Sequence, residues 1–385
     1  MKFLYMVMTV AFLDTFIQLP IITRYAIELG ASEWMSGFIV AIYSLTNISG
    51  NIIAGYWIDY FGRKPLLVMG LSSVSLILPG YPIVQNALQL LMIRGLHGLA
   101  GGILVPATFT LIGDYTRLRK DGRTMAFTGA TIGLSAIIGP AFGGMMAARA
   151  QIEAVFYLVA GLFVLTALIS IYAIKETNSK SIQEQVKLKD LAKLLTNHSL
   201  IQATVAAFAL MVSNGTLSFA LPIQVKTLGY TTSTTGALLS LFASVAFIIF
   251  LTPLNKIYAK QSSIKLINIG LALILISLWF LNMMTSIYLA ILAMIIYGIG
   301  FALVFPSMNQ FVTFITNKEE RGRAYGIFYA AFSLGVVTGS SMSGLMTQWF
   351  GQLYLFSGMM LISSIVCIIY LERPKPLKDR LYAKL

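Results

Sequence analysis

Twelve stretches of apolar residues, each long enough to cross a bilayer and each bounded by charged or turn residues, leave this chain few folds to choose from. They run approximately over 3–27, 34–56, 65–83, 87–113, 124–148, 152–174, 199–225, 233–253, 264–284, 287–313, 323–349 and 352–371. A membrane-crossing helix needs about 20 such residues, so the 385 residues divide into spans joined by short loops. Charged side chains make up 11% of the chain and hydrophobic ones 57%, against about 25% charged in soluble domains. That excludes an ordinary soluble enzyme and predicts an all-α integral membrane protein. Pro20, Pro79, Pro106, Pro140, Pro222 and Pro306 fall inside the stretches, where membrane helices tolerate them and bend. Lys2 ahead of the first stretch imitates a signal peptide, but no small-residue cleavage site follows and the run continues through Pro20, so a first span is predicted. The one cysteine, Cys367, lies in an apolar run and has no partner for an intramolecular disulfide.

The net charge of +13 is explained by where the cations lie. With the N-terminus inside, 23 of the 27 Lys and Arg residues fall on inner segments, leaving Arg24, Arg94, Arg149 and Lys226. This positive-inside bias predicts a multi-pass protein of the cell membrane with both termini cytoplasmic, and removes any need for a nucleic-acid partner. The only long polar stretch, 175–198, separates six spans from six. The expected organisation is a six-helix bundle over 1–174, a cytoplasmic linker over 175–198, a second bundle over 199–371 and a cytoplasmic tail over 372–385. Val186 to Leu195 has helical apolar spacing with lysines between; a surface-lying helix and a solvated linker remain equally open.

The two halves repeat. Gly98, Pro106, Gly122, Arg123, Leu134, Gly139, Gly144 and Met146 recur 200 residues on as Gly298, Pro306, Gly322, Arg323, Leu334, Gly339, Gly344 and Met346. Near the start of each half the offset is 202, pairing Pro20 with Pro222 and Arg24 with Lys226. Parallel six-span repeats place a binding site at the midplane between the halves and work by rocking one against the other.

Three motifs then carry a family resemblance. The loop after the second stretch reads Gly55-Tyr-Trp57-Ile58-Asp59-Tyr60-Phe-Gly62-Arg63-Lys64. It resembles the signature loop of the major facilitator superfamily, Gly-x-Leu-Ala-Asp-Arg-x-Gly-Arg-Arg/Lys, departing from it at Trp57, Ile58 and Tyr60. Arg94-Gly-Leu-His97-Gly98 is similar to that family's Arg-x-x-Gln-Gly, with His for Gln. Ser135-x-x-x-Gly139-Pro140-x-x-Gly143-Gly144 resembles the motif of its antiporter branch, with Ser135 where Gly is usual. The likeness covers essentially the whole chain and implies the major facilitator fold, twelve transmembrane helices in two parallel six-helix repeats. It further implies that Asp59 meets the start of the eleventh span near Gly322, and that Arg63 pairs with Asp114. Both contacts would hold the inner side shut and break on opening, making Gly55, Asp59, Gly62, Arg63, Lys64, Asp114 and Arg123 a cytoplasmic gate. The fifth-span motif implies export coupled to a counter-ion; physically, its glycines allow close helix approach and Pro140 bends the span.

Two charges lie deep in the membrane. Asp14 is roughly 17 Å from the inner edge and Arg94 roughly 10 Å from the outer, which is a similar depth. Each costs about 2.5–3.5 kcal/mol at a helix centre without a partner or water, so both are expected to face a central cavity, with His97 one turn from Arg94. Asp14, the only carboxylate well inside a span, is the expected proton carrier, Arg94 tunes it and His97 is the alternative, since histidine ordinarily changes charge near neutral pH; a static Asp14–Arg94 ion pair is the bland reading. Their counterparts in the second half are neutral: Asn214 for Asp14, Met294 for Arg94, Tyr297 for His97, Ala259 for Asp59 and Phe314 for Asp114. Coupling and gate are therefore expected in the first half, and uncharged substrate contacts in the second, from Asn214, Tyr297, Phe301, Phe305 and Phe328. The sequence has no phosphate-binding loop, no His/Cys cluster for a metal and no call for a cofactor. The expected function is a monomeric transporter, not an enzyme, that exports a small amphipathic or drug-like molecule in exchange for protons. A dedicated exporter of one metabolite, such as a siderophore, a sugar or a lipid-linked compound, is the alternative, and a non-transporting sensor on the same scaffold stands last.

Overall fold

The computed structural model describes residues 2–119, 123–149, 152–177, 194, 196–317 and 320–372. Its helices are α1 (Lys2–Ile17), α2 (Ile22–Glu28), α3 (Glu33–Phe61), α4 (Arg63–Ile77), α5 (Ala87–Arg119), α6 (Arg123–Arg149), α7 (Ile152–Ala173), α8 (His198–Thr227), α9 (Thr232–Leu251), α10 (Ser263–Asn282), α11 (Ile287–Ile315), α12 (Arg321–Phe350) and α13 (Leu355–Glu372). A 3-10 turn, Leu78–Ile83, extends α4. Polar residues mark several starts: Ser32, Asn197 and Ser262 each turn a side-chain oxygen onto free amides of the following first turn.

Ten of these helices are long and apolar enough to cross a membrane alone, and α1 with α2, bent by 45°, form an eleventh span. The bend falls at Pro20, which has no amide hydrogen to continue the helix; Ile21 and Ile22 both donate to the Gln18 carbonyl instead. The twelfth is α12, 30 residues long and less apolar because helices flank it: a Cβ on Gly335 or Gly339 would strike the backbone of α8, and one on Gly344 the backbone of α3. Buried apolar side chains gather in two clusters, one drawn from residues 4–174 and the other from 194–368.

The loops after α3, α7 and α9 and the start of α12 carry Arg63, Lys64, Lys175, Lys256, Lys260, Arg321 and Arg323, so one end of the bundle is a basic face. The halves meet at the opposite end, where α3 packs along α12 and α6 along α9. There Gly37 lies on Ser340 and Gly344, and Gly144 on Thr232 and Gly236. Thr23, Arg24 and the Trp34 amide hydrogen-bond to Ser218, Thr232 and Gln348 across the seam. Toward the basic face the described helices diverge: Gly55 and Gly326 have no atom within 4 Å of where a Cβ would stand, and Tyr60 and Phe314 are 83% and 77% exposed. The molecule is open at its basic face and closed at the other.

Within the first half, α5 lies backbone to backbone on α3: a Cβ on Gly102 would collide with the Asn47 carbonyl and Gly50. Gly102→Leu is expected to lower the thermal midpoint in detergent by the equivalent of about 1–3 kcal/mol of overpacking. Gly129→Leu, which meets nothing within 4 Å, is expected to hold the midpoint or raise it, because Gly costs a helix interior about 1 kcal/mol.

Candidate functional site

Asp14 lies on the last turn of α1, four residues before Gln18 at the break. Arg94 and His97, three apart on α5, share one face of that helix. The close approach of α5 to α3, through Gly98 against Tyr43 and Gly102 against Asn47, sets the Tyr43 ring beside both: Arg94 Cζ is 4.8 Å from its centroid and the His97 ring meets it edge-on at 5.2 Å. The 3-10 turn after α4 supplies Tyr81, stacked on Phe156 at 4.2 Å.

These residues close into one buried network. His97 Nε2 is 3.0 Å from Asp14 Oδ2, and the Tyr81 hydroxyl is 2.9 Å from His97 Nδ1. The Gln18 amide donates to Asp14 Oδ1 at 2.5 Å while its carbonyl accepts from Arg94 Nη1. This orients the amide without ambiguity, since a carboxylate can only accept and a guanidinium only donate. Gln18 therefore bridges Asp14 and Arg94, and the direct Asp14–Arg94 ion pair of the bland reading is not formed. With Asp14, Arg94 and His97 only 2%, 6% and 0% exposed, the expectation that they open into a central cavity is also corrected: the walls of the first half enclose them. His97 is a full member of the site. A tyrosine hydroxyl both donates and accepts, so His97 stays hydrogen-bonded at both nitrogens as neutral or charged imidazole. Sequence reasoning missed Gln18, Tyr81 and Tyr43; the only available signal was Gln18 at i+4 from Asp14.

The second half repeats this contact in neutral form. The Tyr297 hydroxyl is 2.9 Å from Ser213 Oγ, beside Asn214, where the first half sets His97 on Asp14. Tyr297 and Phe328 are fully buried, which corrects their assignment to a cavity wall. The partly exposed aromatic surface is a ladder beginning at Phe301 and Phe305, stacked at 5.5 Å, and continuing through Phe332 to Tyr329. Asn214 is half-buried.

At the basic face Arg63 Nε is 2.7 Å from Asp114 Oδ2. Arg63 also donates to the Thr177 carbonyl at 3.0 Å, and Thr177 Oγ1 donates to Asp114 at 2.7 Å. Glu176, unforeseen, accepts from the backbone amides of Arg63 and Lys64 at 3.1 and 2.9 Å, capping the positive end of α4. Gly62 makes the turn at φ 90°, a left-handed conformation that favours glycine, and Lys64 Nζ donates to the Ile171 carbonyl. These residues belong to the first half and to the first residues of the linker, none to the second half, and their contacts are made while the basic face stands open. Breaking the Arg63–Asp114 pair is therefore not what separates the halves there, which corrects that expectation. Gly322 lies in the first turn of α12, and the side chains of Asp59 and Arg123 are not among those described.

The fifth-span motif faces two ways. Gly139 and Gly143 lie on Phe16 and Ile17 of α1, and Gly144 on α9 of the other half. Ser135 donates to the Thr9 and Thr131 carbonyls, and the amide after Pro140 reaches across to Ser240 Oγ at 2.9 Å.

Known proteins resemble this arrangement along its whole length. Inner membrane transport protein YajR of Escherichia coli is 23% identical over 98% of this chain and 82% of its own. Multidrug resistance protein 1 of Bacillus subtilis is 26% identical over 88% of this chain and 87% of its own. Among solved structures, nucleoside transporter NupG superposes with a TM-score of 0.76 at 14% identity, over 97% of this chain and all of the other. A bacterial homologue of the human lysosomal transporter Spinster, inward-facing and unoccupied, gives 0.75 at 13%, over 96% and 94%. The sequence pattern of the Major Facilitator Superfamily matches residues 4–318 and 311–384. With the fold, the two-half seam and this match in agreement, the chain belongs to the Major Facilitator Superfamily of membrane transporters.

Proposed function

We propose that the protein exports small amphipathic, drug-like molecules in exchange for protons, by alternating access between its two halves. The observation that carries this reading is the enclosed Asp14–His97 contact, tied through Gln18 to Arg94. It sets a buried carboxylate and an imidazole in direct hydrogen-bond contact, against a neutral counterpart in the second half. Two relatives named multidrug resistance proteins support export of drug-like compounds, as does the aromatic ladder of α11 and α12. The basic face is the cytoplasmic one by the positive-inside rule, which puts both termini inside and the closed seam outside. Substrate enters from the cytoplasm between the parted ends of α3, α6, α9 and α12.

The seam suggests how the inner side closes. Gly55 lies 18 residues beyond Gly37 on α3, and Gly326 lies 18 before Gly344 on α12; at about 3.6 residues per turn that is five turns, so each glycine shares the face of its partner. The helices run antiparallel, so closing the inner side brings Gly55 onto Gly326 as opening the outer side parts Gly37 from Gly344.

Two outcomes are expected. In inside-out vesicles holding a proton gradient and a lumenal pH dye, lipophilic cations or other drug-like compounds trigger proton release. Asp14→Asn reduces that release by about tenfold or more, equivalent to 1.4 kcal/mol or more; release that survives in Asp14→Asn refutes the coupling site. In a Cys367→Ser background, the pair Trp34→Cys and Gln348→Cys, whose native residues already touch across the seam, is joined by a short bifunctional maleimide in the unloaded protein. The pair Gly55→Cys and Gly326→Cys crosslinks only under turnover, and each crosslink stops transport. Crosslinking of both pairs at once in one molecule would contradict alternating access.

A further inference from the structure

We propose that α2, the seven-residue outer piece of the broken first span, is the lever that links the charge of the Asp14 network to the outer gate, with Gln18 and Tyr81 as its positioning residues. This rests on the proton-coupled reading above and adds to it the path by which protonation reaches the seam.

Two described elements touch both parties, and the geometry points to α2 because α3, which carries Tyr43 and Gly37, is one unbroken helix whereas α2 is set off from α1 by a 45° bend. On the network side it is held twice. It follows directly from Gln18, whose backbone carbonyl receives the Ile21 and Ile22 amides while its side chain bridges Asp14 and Arg94. It is held again at Tyr25, whose hydroxyl donates to the Tyr81 carbonyl at 2.7 Å, while the Tyr81 hydroxyl meets His97. On the seam side Thr23 donates to the Ser218 carbonyl at 3.1 Å, and Arg24 Nη1 donates to Thr232 at 2.7 Å, with Arg24 Nε steadied on Glu28. Thr23, Arg24 and Tyr25 are consecutive, so a small rotation of α2 moves the seam contacts and the Tyr25 tether together. The Gln18–Ile21 turn keeps backbone hydrogen bonds from Leu19 to Phe16 and from Ile21 and Ile22 to Gln18, but Pro20 contributes none, so the ladder between α1 and α2 is thinned at the bend and α2 is able to turn as a unit.

The groups that bear on Asp14 are few. Arg94 and His97 come from α5, Tyr43 from α3 and Tyr81 from the 3-10 turn; α6 and α7, also packed on α1, carry ionisable residues only near their ends, Arg123, Arg149, Glu153, Tyr157 and Tyr172. Charged, Asp14 accepts charge-strengthened hydrogen bonds from Gln18 and balances Arg94 inside a dry site. Neutralised, it loses that hold, Gln18 is no longer pinned between opposite charges, and the hinge beneath α2 slackens. Asp14 would carry the proton; Gln18 and Tyr81 would carry the consequence.

The test places a reporter under the gate. Thr235 is 1% exposed and lines a small pocket at the seam with Pro20, Arg24, Pro222 and Lys226. In the full-length protein with Cys367→Ser, Thr235→Cys should react slowly with a membrane-impermeant maleimide applied from outside. Adding Asp14→Asn should raise the rate about tenfold, the scale of one lost charge-assisted hydrogen bond. In Gln18→Ala or Tyr81→Phe backgrounds, the rate should be nearly the same with Asp14 as with Asn at that position. Tyr81→Phe keeps the ring on Phe156, so it tests the tether without removing packing. Substrate-triggered proton release is measured alongside in the protein with native Asp14. Release present but a Thr235→Cys rate indifferent to Asp14→Asn, or a response undiminished in both Gln18→Ala and Tyr81→Phe, overturns the lever while the antiport reading stands. Absent release overturns that reading instead.

Discussion

A carboxylate and a guanidinium placed well inside a lipid bilayer must find partners, and much of the first half is arranged so that Asp14 and Arg94 do. Each would cost several kcal/mol alone in hydrocarbon. The broken first span brings Gln18 between them, the glycine approach of α5 to α3 lays Tyr43 over Arg94, and the 3-10 end of α4 supplies Tyr81 to cap His97. Remove any of these local irregularities and a buried charge or imidazole loses a contact. The break at Pro20 and the 3-10 turn are, on this view, the conditions under which a titratable site can be sealed from water.

The internal repeat shows what is added to a common frame. In the second half the same positions along the chain carry Ser213, Asn214 and Tyr297, and the hydroxyls of Ser213 and Tyr297 still meet at hydrogen-bond distance. The scaffold therefore holds a polar contact between the first and fourth spans of each half; the first half differs in filling it with ionisable side chains, Asp14 and His97. A neutral copy keeps the hydrogen bond of the frame without burying a charge.

The fold was legible because its physics is coarse. Apolar runs, loop cations and a repeat register survive without knowledge of any contact, and even α12, the least apolar span, is marked by its glycines. Asp14, Arg94 and His97 stood out because ionisable groups are rare in lipid. Gln18 and Tyr81 did not, since an uncharged polar residue in a span is common and its role depends on a break and a 3-10 turn that composition does not show. Phe328 and Tyr297 were misjudged because helical phase could not tell a side chain aimed at the seam from one aimed into its own bundle. Glu176 hid in a linker, where a carboxylate is unremarked until it is seen against the start of α4.

The charge cluster at the basic face acquires a different meaning from this geometry. Arg63, Asp114, Glu176 and Thr177 tie the α3–α4 turn, the end of α5 and the first residues after α7 into one piece. None of these bonds crosses to the second half. The connection to that half therefore leaves from a point anchored on the first, and pulling on it moves the first bundle as a body instead of unravelling α7. Rocking requires two halves that are each stiff and a seam that is soft. The glycine contacts of α3 with α12 and α6 with α9 make the seam, where backbones approach with few side chains to disengage. The basic-face cluster serves the other requirement, so its loss should soften the moving body itself, and with it the transmission of any change at Asp14 across the membrane.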